Sequence, residues 1–160
     1  MRRVLLAGIM VAMVFLATTF IKIPMPTGVY HAGDAFVLIV GIMLGPFLGF
    51  FTAAIGSALA DISLGYMIYV PGTFMIKGIM ALVCSRVKKD HPKRALGLFV
   101  LAELIMVTGY LVYDALVITG NVSAALANLP WNIAQGGLGI ALAIFLYHGL
   151  GRTTLWKHLP

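Results

Sequence analysis

The sequence predicts an all-α integral membrane protein with six transmembrane helices and both termini in the cytoplasm. Its 160 residues are 61% hydrophobic and 10% charged, and its mean hydropathy of +1.03 lies far above the range of soluble domains. Apolar segments recur along the whole chain, and each bilayer crossing needs about 20 residues. The 11 Lys and Arg residues, against 5 acidic ones, concentrate where cytoplasmic loops are expected. Residues 1–160 are therefore expected to form one transmembrane domain.

The first predicted span covers residues 4–21 and follows a Met-Arg-Arg sequence that places the N-terminus in the cytoplasm. The segment is long enough to cross the membrane and has no cleavage motif, so we expect a retained helix rather than a signal peptide. Ala7, Gly8 and Ala12 are small, and the last two are four residues apart, which allows another helix to approach closely. This face either packs within the protein or docks a helix of a partner subunit.

Residues 22–34 are predicted to form the outer connection between the first two spans. Two prolines and two glycines prevent a helix here. Tyr30 and His31 lie beside the predicted membrane surface, where they could belong to a lid or simply anchor the loop at the interface.

The second and third spans, residues 35–44 and 50–62, flank a predicted tight inner turn at residues 45–49. The third span is rich in Ala, Gly and Ser, which favours close packing among other helices over exposure to lipid.

Asp61 ends the third span on the outer side, and Lys77 lies about one turn inside the fourth span, residues 73–87. Ionisable groups are costly near a membrane core, so both are candidates for a functional site. Lys77 could extend to the surface, pair with Asp61 across the outer connection at residues 63–72, or contact a bound anion. A fixed ion pair with Asp61 is the favoured interpretation.

The basic run at residues 86–94 is predicted to be cytoplasmic, which requires an even number of preceding spans. The fifth span, residues 95–119, carries the densest polar face of the chain. Glu103, Tyr110 and Asp114 recur at helical spacing on one side of this span. Two carboxylates on an apolar helix are expected to face a cavity or polar partners.

Residues 121–130 are predicted to form the last outer link, and the sixth span continues to about residue 150. Four residues with amide or indole groups lie at helical spacing in its outer half: Asn128, Trp131, Asn132 and Gln135. Directional hydrogen bonds and a flat stacking surface suit a small planar heterocycle. The alternative is hydrogen bonding between helices, with the tryptophan at the membrane interface.

Motifs for phosphate binding, zinc proteolysis and nucleophilic hydrolysis do not occur in the sequence, so no enzyme activity, cofactor or metal site is predicted. Glu103 and Asp114 are separated by about 16 Å along a helix, too far to act as an acid/base pair on one bond. The single cysteine, Cys84, cannot form an internal disulfide and is expected to be a packed thiol. A stand-alone secondary transporter that couples uptake to protons through Glu103 or Asp114 remains a competing interpretation.

Six short motifs together carry a family resemblance: HAGD at 31–34, LGP at 44–46, GSALAD at 56–61, GY at 65–66, YVP at 69–71 and IKG at 76–78. The chain resembles the S components, the substrate-binding subunits, of energy-coupling factor (ECF) vitamin transporters. The most similar branch is the riboflavin type, which includes hydroxymethylpyrimidine and pyridoxine members.

The resemblance implies a six-helix protein of the bacterial cell membrane that captures a vitamin at its outer face. It also implies partners, a transmembrane coupling protein and two cytoplasmic ATPases, with no nucleic acid. The implied pocket combines the first outer loop with the outer halves of helices four to six, and so contains the nine polar candidates named above, from Tyr30 to Gln135. Gly8 and Ala12 approximate the family's AxxxA coupling motif, from which Ala7 and Val11 depart, and Asp61 and Lys77 are expected to brace one wall of the pocket.

Overall fold

The computed structural model describes residues 1–25, 28–88 and 91–153, with the backbone alone for 23–25 and 28–30. The elements are α1 (Arg2–Phe20), β1 (Lys22–Met25), β2 (Gly28–His31), α2 (Gly33–Leu44), α3 (Pro46–Leu64), α4 (Val70–Cys84), α5 (Pro92–Tyr113), α6 (Val122–Leu126) and α7 (Leu129–Gly151). A 3₁₀ turn at Met67–Tyr69 precedes α4, and a π-helical turn at Asp114–Ile118 extends α5.

Five helical stretches are long and apolar enough to cross a membrane: Arg2–Phe20, Pro46–Leu64, Met67–Cys84, Pro92–Ile118 and Val122–Gly151. This confirms the predicted membrane-spanning helical fold. The predicted count of six is not confirmed, because the remaining apolar helix, α2, has 12 residues and so a length of about 18 Å. A hydrocarbon core is about 30 Å thick.

The inner turn between the second and third spans is shorter than predicted. The prediction of a five-residue turn at 45–49 is wrong, because Gly45 alone separates α2 from α3. Gly45 has φ 79°, a conformation that glycine adopts without strain, and Pro46 then begins the next helix.

Helix α2 lies at the centre of the bundle. All of its residues except Phe36 are buried, and it packs against α1, α3, α4 and α7. These neighbours shield it from lipid, so an ionisable residue in its first turn faces protein rather than hydrocarbon.

Small residues allow the central helices to approach closely, as the sequence predicted for the third span. A Cβ on Gly41 of α2 would lie 2.0 Å from the Ala81 carbonyl oxygen of α4. A Cβ on Gly56 of α3 would lie 2.9 Å from the Val11 carbonyl oxygen of α1. Backbones in such contact need residues without side chains at the crossing.

A short antiparallel hairpin, β1 with β2, links α1 to α2, where the sequence predicted only a loop. Lys22 pairs with His31 and Met25 with Gly28, and the Ala32 N–H donates to the Ile21 carbonyl at 3.1 Å. The end of the bundle that carries this hairpin also contains the starts of α2, α4 and α7. We call it the hairpin end.

Candidate functional site

A buried ion pair joins two central helices at the hairpin end. The Lys77 ammonium of α4 pairs with Oδ1 of Asp34 in the first turn of α2, and the two side chains are 1% and 0% exposed. The Gln135 Nε2 of α7 donates to the other oxygen, Asp34 Oδ2, at 2.7 Å. Lys77 also lies 5.3 Å from the centre of the Tyr110 ring on α5. Both oxygens of Asp34 therefore have partners, and side chains of four helices meet at the ion pair.

The ion pair corrects the predicted partner of Lys77. We expected Asp61, which is close in sequence, but the lysine pairs with Asp34, 43 residues away. The close crossing of Gly41 over Ala81 brings α2 against α4, and Asp34 lies two turns before that crossing on the same face. Asp61 Oδ2 is buried and has no hydrogen-bond partner among the described residues. Whether Asp61 and Lys77 brace a pocket stays a prediction.

Glu103 lies inside the bundle beside the ion pair. Its side chain is 3% exposed, and it faces two glycines of α7. A Cβ on Gly139 would lie 2.6 Å from Glu103 Oε1 and 3.0 Å from Asp34 Cβ, and one on Gly136 would lie 3.3 Å from Glu103 Oε2. Neither Glu103 oxygen has a hydrogen-bond partner in residues 1–25, 28–88 and 91–153. The Glu103 carboxyl group thus lies against α7, and no hydrogen-bond donor to it is found among the described residues.

His31 attaches the hairpin to the bundle. Its backbone N–H donates to Gln135 Oε1 at 3.3 Å, and its ring Nδ1 accepts the Gly33 N–H at 3.2 Å. Burial of the imidazole lowers the pKa of His31 to about 4; the Asp34 carboxylate opposes this shift, and the Lys77 ammonium adds to it. The structure therefore favours a neutral ring, whose Nδ1 can accept a hydrogen bond.

Tyrosines surround the ion pair on the side of α5. The hydroxyl groups of Tyr110 and Thr73 are 3.0 Å apart. The Tyr69 ring lies 6.5 Å from the Tyr110 ring and 6.2 Å from the Tyr113 ring, between centroids, and the Tyr113 hydroxyl donates to the Ile68 carbonyl at 2.7 Å. These rings form an aromatic wall between α4 and α5.

Asp114 belongs to a second polar group at the hairpin end. It begins the π-helical turn, in which its carbonyl accepts the Thr119 N–H five residues later, at 2.8 Å. Its carboxylate is 2% exposed, and Oδ2 accepts Asn128 Nδ2 at 2.8 Å, whereas Oδ1 has no partner among the described residues. Single π-helical turns are frequent at functional sites, because they turn a side chain out of the regular helical register.

The remaining predicted site residues lie at the edge of this end. Trp131 is 48% exposed, and Asn132 is partly buried. The Tyr30 backbone lies in β2, but its side chain is outside the described residues.

The predicted site residues thus divide into two groups. His31, Glu103, Tyr110 and Gln135 gather around the Asp34–Lys77 pair, and Asp114 and Asn128 contact each other. Sequence reasoning missed Asp34 as a site residue, although an aspartate in the first turn of an apolar segment was the available signal.

The three predicted coupling residues do not all lie on the same side of α1. Ala7 is buried in the bundle, whereas Gly8 and Ala12 are exposed. A Cβ on Gly8 would meet no atom within 4 Å.

The fold and the site define a helical membrane protein whose buried polar groups gather at one end of the bundle. Residues 1–152 match the family model of the ECF-type riboflavin transporter S component, and the chain belongs to this family. This confirms the resemblance drawn from the six motifs. The family is one of vitamin-transporter subunits that bind substrate and associate with an ECF module, rather than a family of enzymes.

A protein of Pyrococcus woesei is also similar to this chain. It is described as an uncharacterized protein in a gap 3' region, and it is 33% identical over 134 residues, which cover 81% of this chain and 88% of the relative.

Proposed function

We propose that this chain captures a water-soluble vitamin or vitamin precursor at the outer face of a bacterial cell membrane. The substrate class is hydroxymethylpyrimidine, pyridoxine or riboflavin. A transmembrane coupling protein and two cytoplasmic ATPases then drive uptake. In this arrangement α2 serves as a short sixth membrane helix, both termini are cytoplasmic, and the hairpin end is the outer end. Membership of the S component family and the gathering of buried polar side chains at the hairpin end support the proposal.

The carboxyl oxygens that lack a described partner favour a substrate that donates hydrogen bonds. They belong to Asp61, Glu103 and Asp114; the other buried side-chain atoms without a described partner are the hydroxyls of Thr18, Thr19 and Ser57. Buried carboxyl oxygens recover their lost hydration by accepting N–H or O–H groups from a ligand, and they repel phosphates and carboxylates. The neighbouring rings of Tyr69 and Tyr110 offer faces against which a planar heterocycle can stack. A neutral or cationic heterocycle with amino or hydroxyl groups fits these requirements.

The substrate-binding residues in this proposal are Tyr30, His31, Glu103, Tyr110, Asp114, Asn128, Trp131, Asn132 and Gln135. Asp61 and Lys77 support the wall that α3 and α4 contribute. Trp131 is half-exposed, so in this proposal it lies at the rim of the substrate site.

The outward face of α1 is the proposed coupling surface. Gly8 and Ala12 present no bulky side chain there, so a partner helix can approach the α1 backbone. Ala7 contributes from the buried side, by allowing α1 to pack against its own bundle.

Reconstitution in liposomes tests this function against its competitor. The unpartnered, buried Glu103 is the observation that favours a proton-coupled secondary transporter, because carboxyl groups inside a membrane protein can form proton relays. The chain alone should bind the vitamin without accumulating it, and accumulation should require the coupling protein, both ATPases and ATP. Accumulation by the chain alone under a pH gradient would establish the secondary transporter instead.

A further inference from the structure

Gln135 connects the hairpin to the buried ion pair through both ends of its amide. Oε1 accepts the His31 N–H of β2 at 3.3 Å, and Nε2 donates to Asp34 Oδ2 at 2.7 Å. Lys77 occupies the other oxygen of Asp34. The side chain of Gln135 is 5% exposed, so water competes little for either bond. This continuous series of contacts runs from the hairpin backbone through α7 and α2 to α4.

The geometry of the hairpin explains why the His31 N–H is available. In an antiparallel pair, hydrogen-bonded and non-hydrogen-bonded residue pairs alternate. The Ala32 N–H donates to Ile21, so the next pair, His31 with Lys22, is the non-hydrogen-bonded one. The His31 N–H therefore points away from β1, towards α7. Gln135 satisfies a strand edge that would otherwise lack an acceptor.

We infer that Gln135 is a positioning residue that locks the β1–β2 hairpin to the Asp34–Lys77 ion pair, so that hairpin opening and rearrangement of the pair are one coupled event. Both amide atoms of Gln135 are engaged, so its part in the proposed site is to hold the hairpin in place. Lys77, in turn, contacts the face of Tyr110, which places the ion pair next to the aromatic wall. A ligand that shifts Tyr110 or Lys77 thereby changes how firmly the hairpin is held.

The first test measures amide hydrogen exchange of the hairpin in the ligand-free protein. Gln135→Met keeps the length of the side chain and removes both hydrogen bonds. Exchange at residues 28–32 should become about five- to ten-fold faster, the factor expected for losing one or two bonds of modest net strength. Gly137→Ala is the control on the same helix, because a Cβ at Gly137 meets no atom within 4 Å. It should leave hairpin exchange unchanged.

The second test asks whether the ion pair acts on the hairpin through Gln135. Replacing both partners, Asp34→Leu with Lys77→Met, leaves no unpaired charge and removes the acceptor of Gln135 Nε2. Hairpin exchange should become faster when Gln135 is present, with little further change in the Gln135→Met background. A merely structural role would give additive effects in the two backgrounds.

Two outcomes would overturn the inference: unchanged hairpin exchange in folded Gln135→Met, or additivity in the double replacement. If Gln135→Met fails to fold, Gln135→Asn replaces it. That variant keeps the amide but is one methylene shorter, so it cannot reach both His31 and Asp34; faster hairpin exchange is again expected, and unchanged exchange again contradicts the inference.

A consequence for substrate release rests on the proposed function. With riboflavin, pyridoxine and hydroxymethylpyrimidine as probes, Gln135→Met should speed dissociation of the bound vitamin about ten-fold, while the association rate changes little. Amide hydrogen exchange in the ligand-free protein tests the role of Gln135 in holding the hairpin independently of any substrate. Absence of vitamin binding by the wild-type chain would therefore refute the proposed function without altering the exchange result.

Discussion

The Lys77 ammonium pairs with the Asp34 carboxylate across the contact between α4 and α2, and neither side chain is more than 1% exposed. Removing one partner of such a pair leaves an uncompensated charge in a low-dielectric interior, which is far more costly than replacing both. The two residues therefore determine each other's tolerance to substitution.

Lys77→Met or Asp34→Asn alone should lower the free energy of unfolding by about 3–5 kcal/mol. Charge reversal by Lys77→Glu should impair folding as well as binding. The double variant Asp34→Leu/Lys77→Met should recover most of the lost stability, because it leaves no unpaired charge. Denaturant unfolding in detergent measures these differences. Lys93→Met is the control: Lys93 is exposed, so this variant should have the same free energy of unfolding as the wild-type protein. A loss below about 1 kcal/mol in both single variants would show that the pair is not buried as described.

The approach of α2 to α4 depends on Gly41. In Gly41→Ala the new methyl group would lie 2.0 Å from the Ala81 carbonyl oxygen, so the two helices must separate. We expect a loss of about 1–3 kcal/mol or more, together with a weaker Asp34–Lys77 pair.

Gly137→Ala provides the matched control for Gly41→Ala, because a Cβ at Gly137 meets no atom within 4 Å. It should be neutral or stabilising by up to about 1 kcal/mol, as expected for Gly→Ala in an open helical position. The melting temperatures of the two variants check this difference, and equal values would contradict the close crossing.

Protonation of His31 should destabilise the fold as the pH falls. Burial lowers the pKa of His31 to about 4, against an unfolded value of about 6.5. Its contribution to stability is therefore complete above about pH 6.5 and is lost as the pH falls towards 4, with a cost of up to about 2 kcal/mol at pH 5.

The variant His31→Asn isolates this titration, since an asparagine oxygen can accept the N–H two residues later without binding a proton. Stability measured at pH 7.5 and pH 5 should fall more in the wild-type protein than in His31→Asn. An equal fall in both proteins would assign the pH dependence to other groups.

The start of α7 is predicted to contact the substrate. Trp131→Ala and Asn132→Ala should each weaken vitamin binding in detergent, because they remove a stacking surface and a hydrogen-bonding amide from the pocket rim. Both residues are at least partly exposed, so the melting temperature of the ligand-free protein should change little. Titration calorimetry measures the affinity. Unchanged affinity in both variants would exclude the start of α7 from the site.

Helical spacing located the polar face of α5 correctly. Glu103, Tyr110 and Asp114 all turn towards the bundle, because ionisable groups on an apolar helix are costly when they face lipid. The abundance of small residues in the third span also predicted its close packing, since helices cross closely only where the side chains are small.

The partner of Lys77 could not be found in the same way. Proximity in sequence favoured Asp61, whereas the pairing depends on how α2 crosses α4, and that crossing is set by tertiary contacts of Gly41. The hairpin was missed for a related reason. Its strands are four residues each, too short for an alternating pattern to stand out from a loop rich in Gly and Pro.

Native mass spectrometry of the purified chain, without ATPases, shows whether the chain by itself binds a vitamin. Riboflavin, pyridoxine and hydroxymethylpyrimidine are each added at micromolar concentration, and a preparation with no addition shows any ligand retained from the cell. We expect a 1:1 complex with one small heterocycle that carries hydrogen-bond donors. Asp114→Asn should weaken this complex, and the phosphorylated form of the same vitamin should not form it. Failure of the folded chain to bind any of the three, with no retained ligand, would contradict the proposed function.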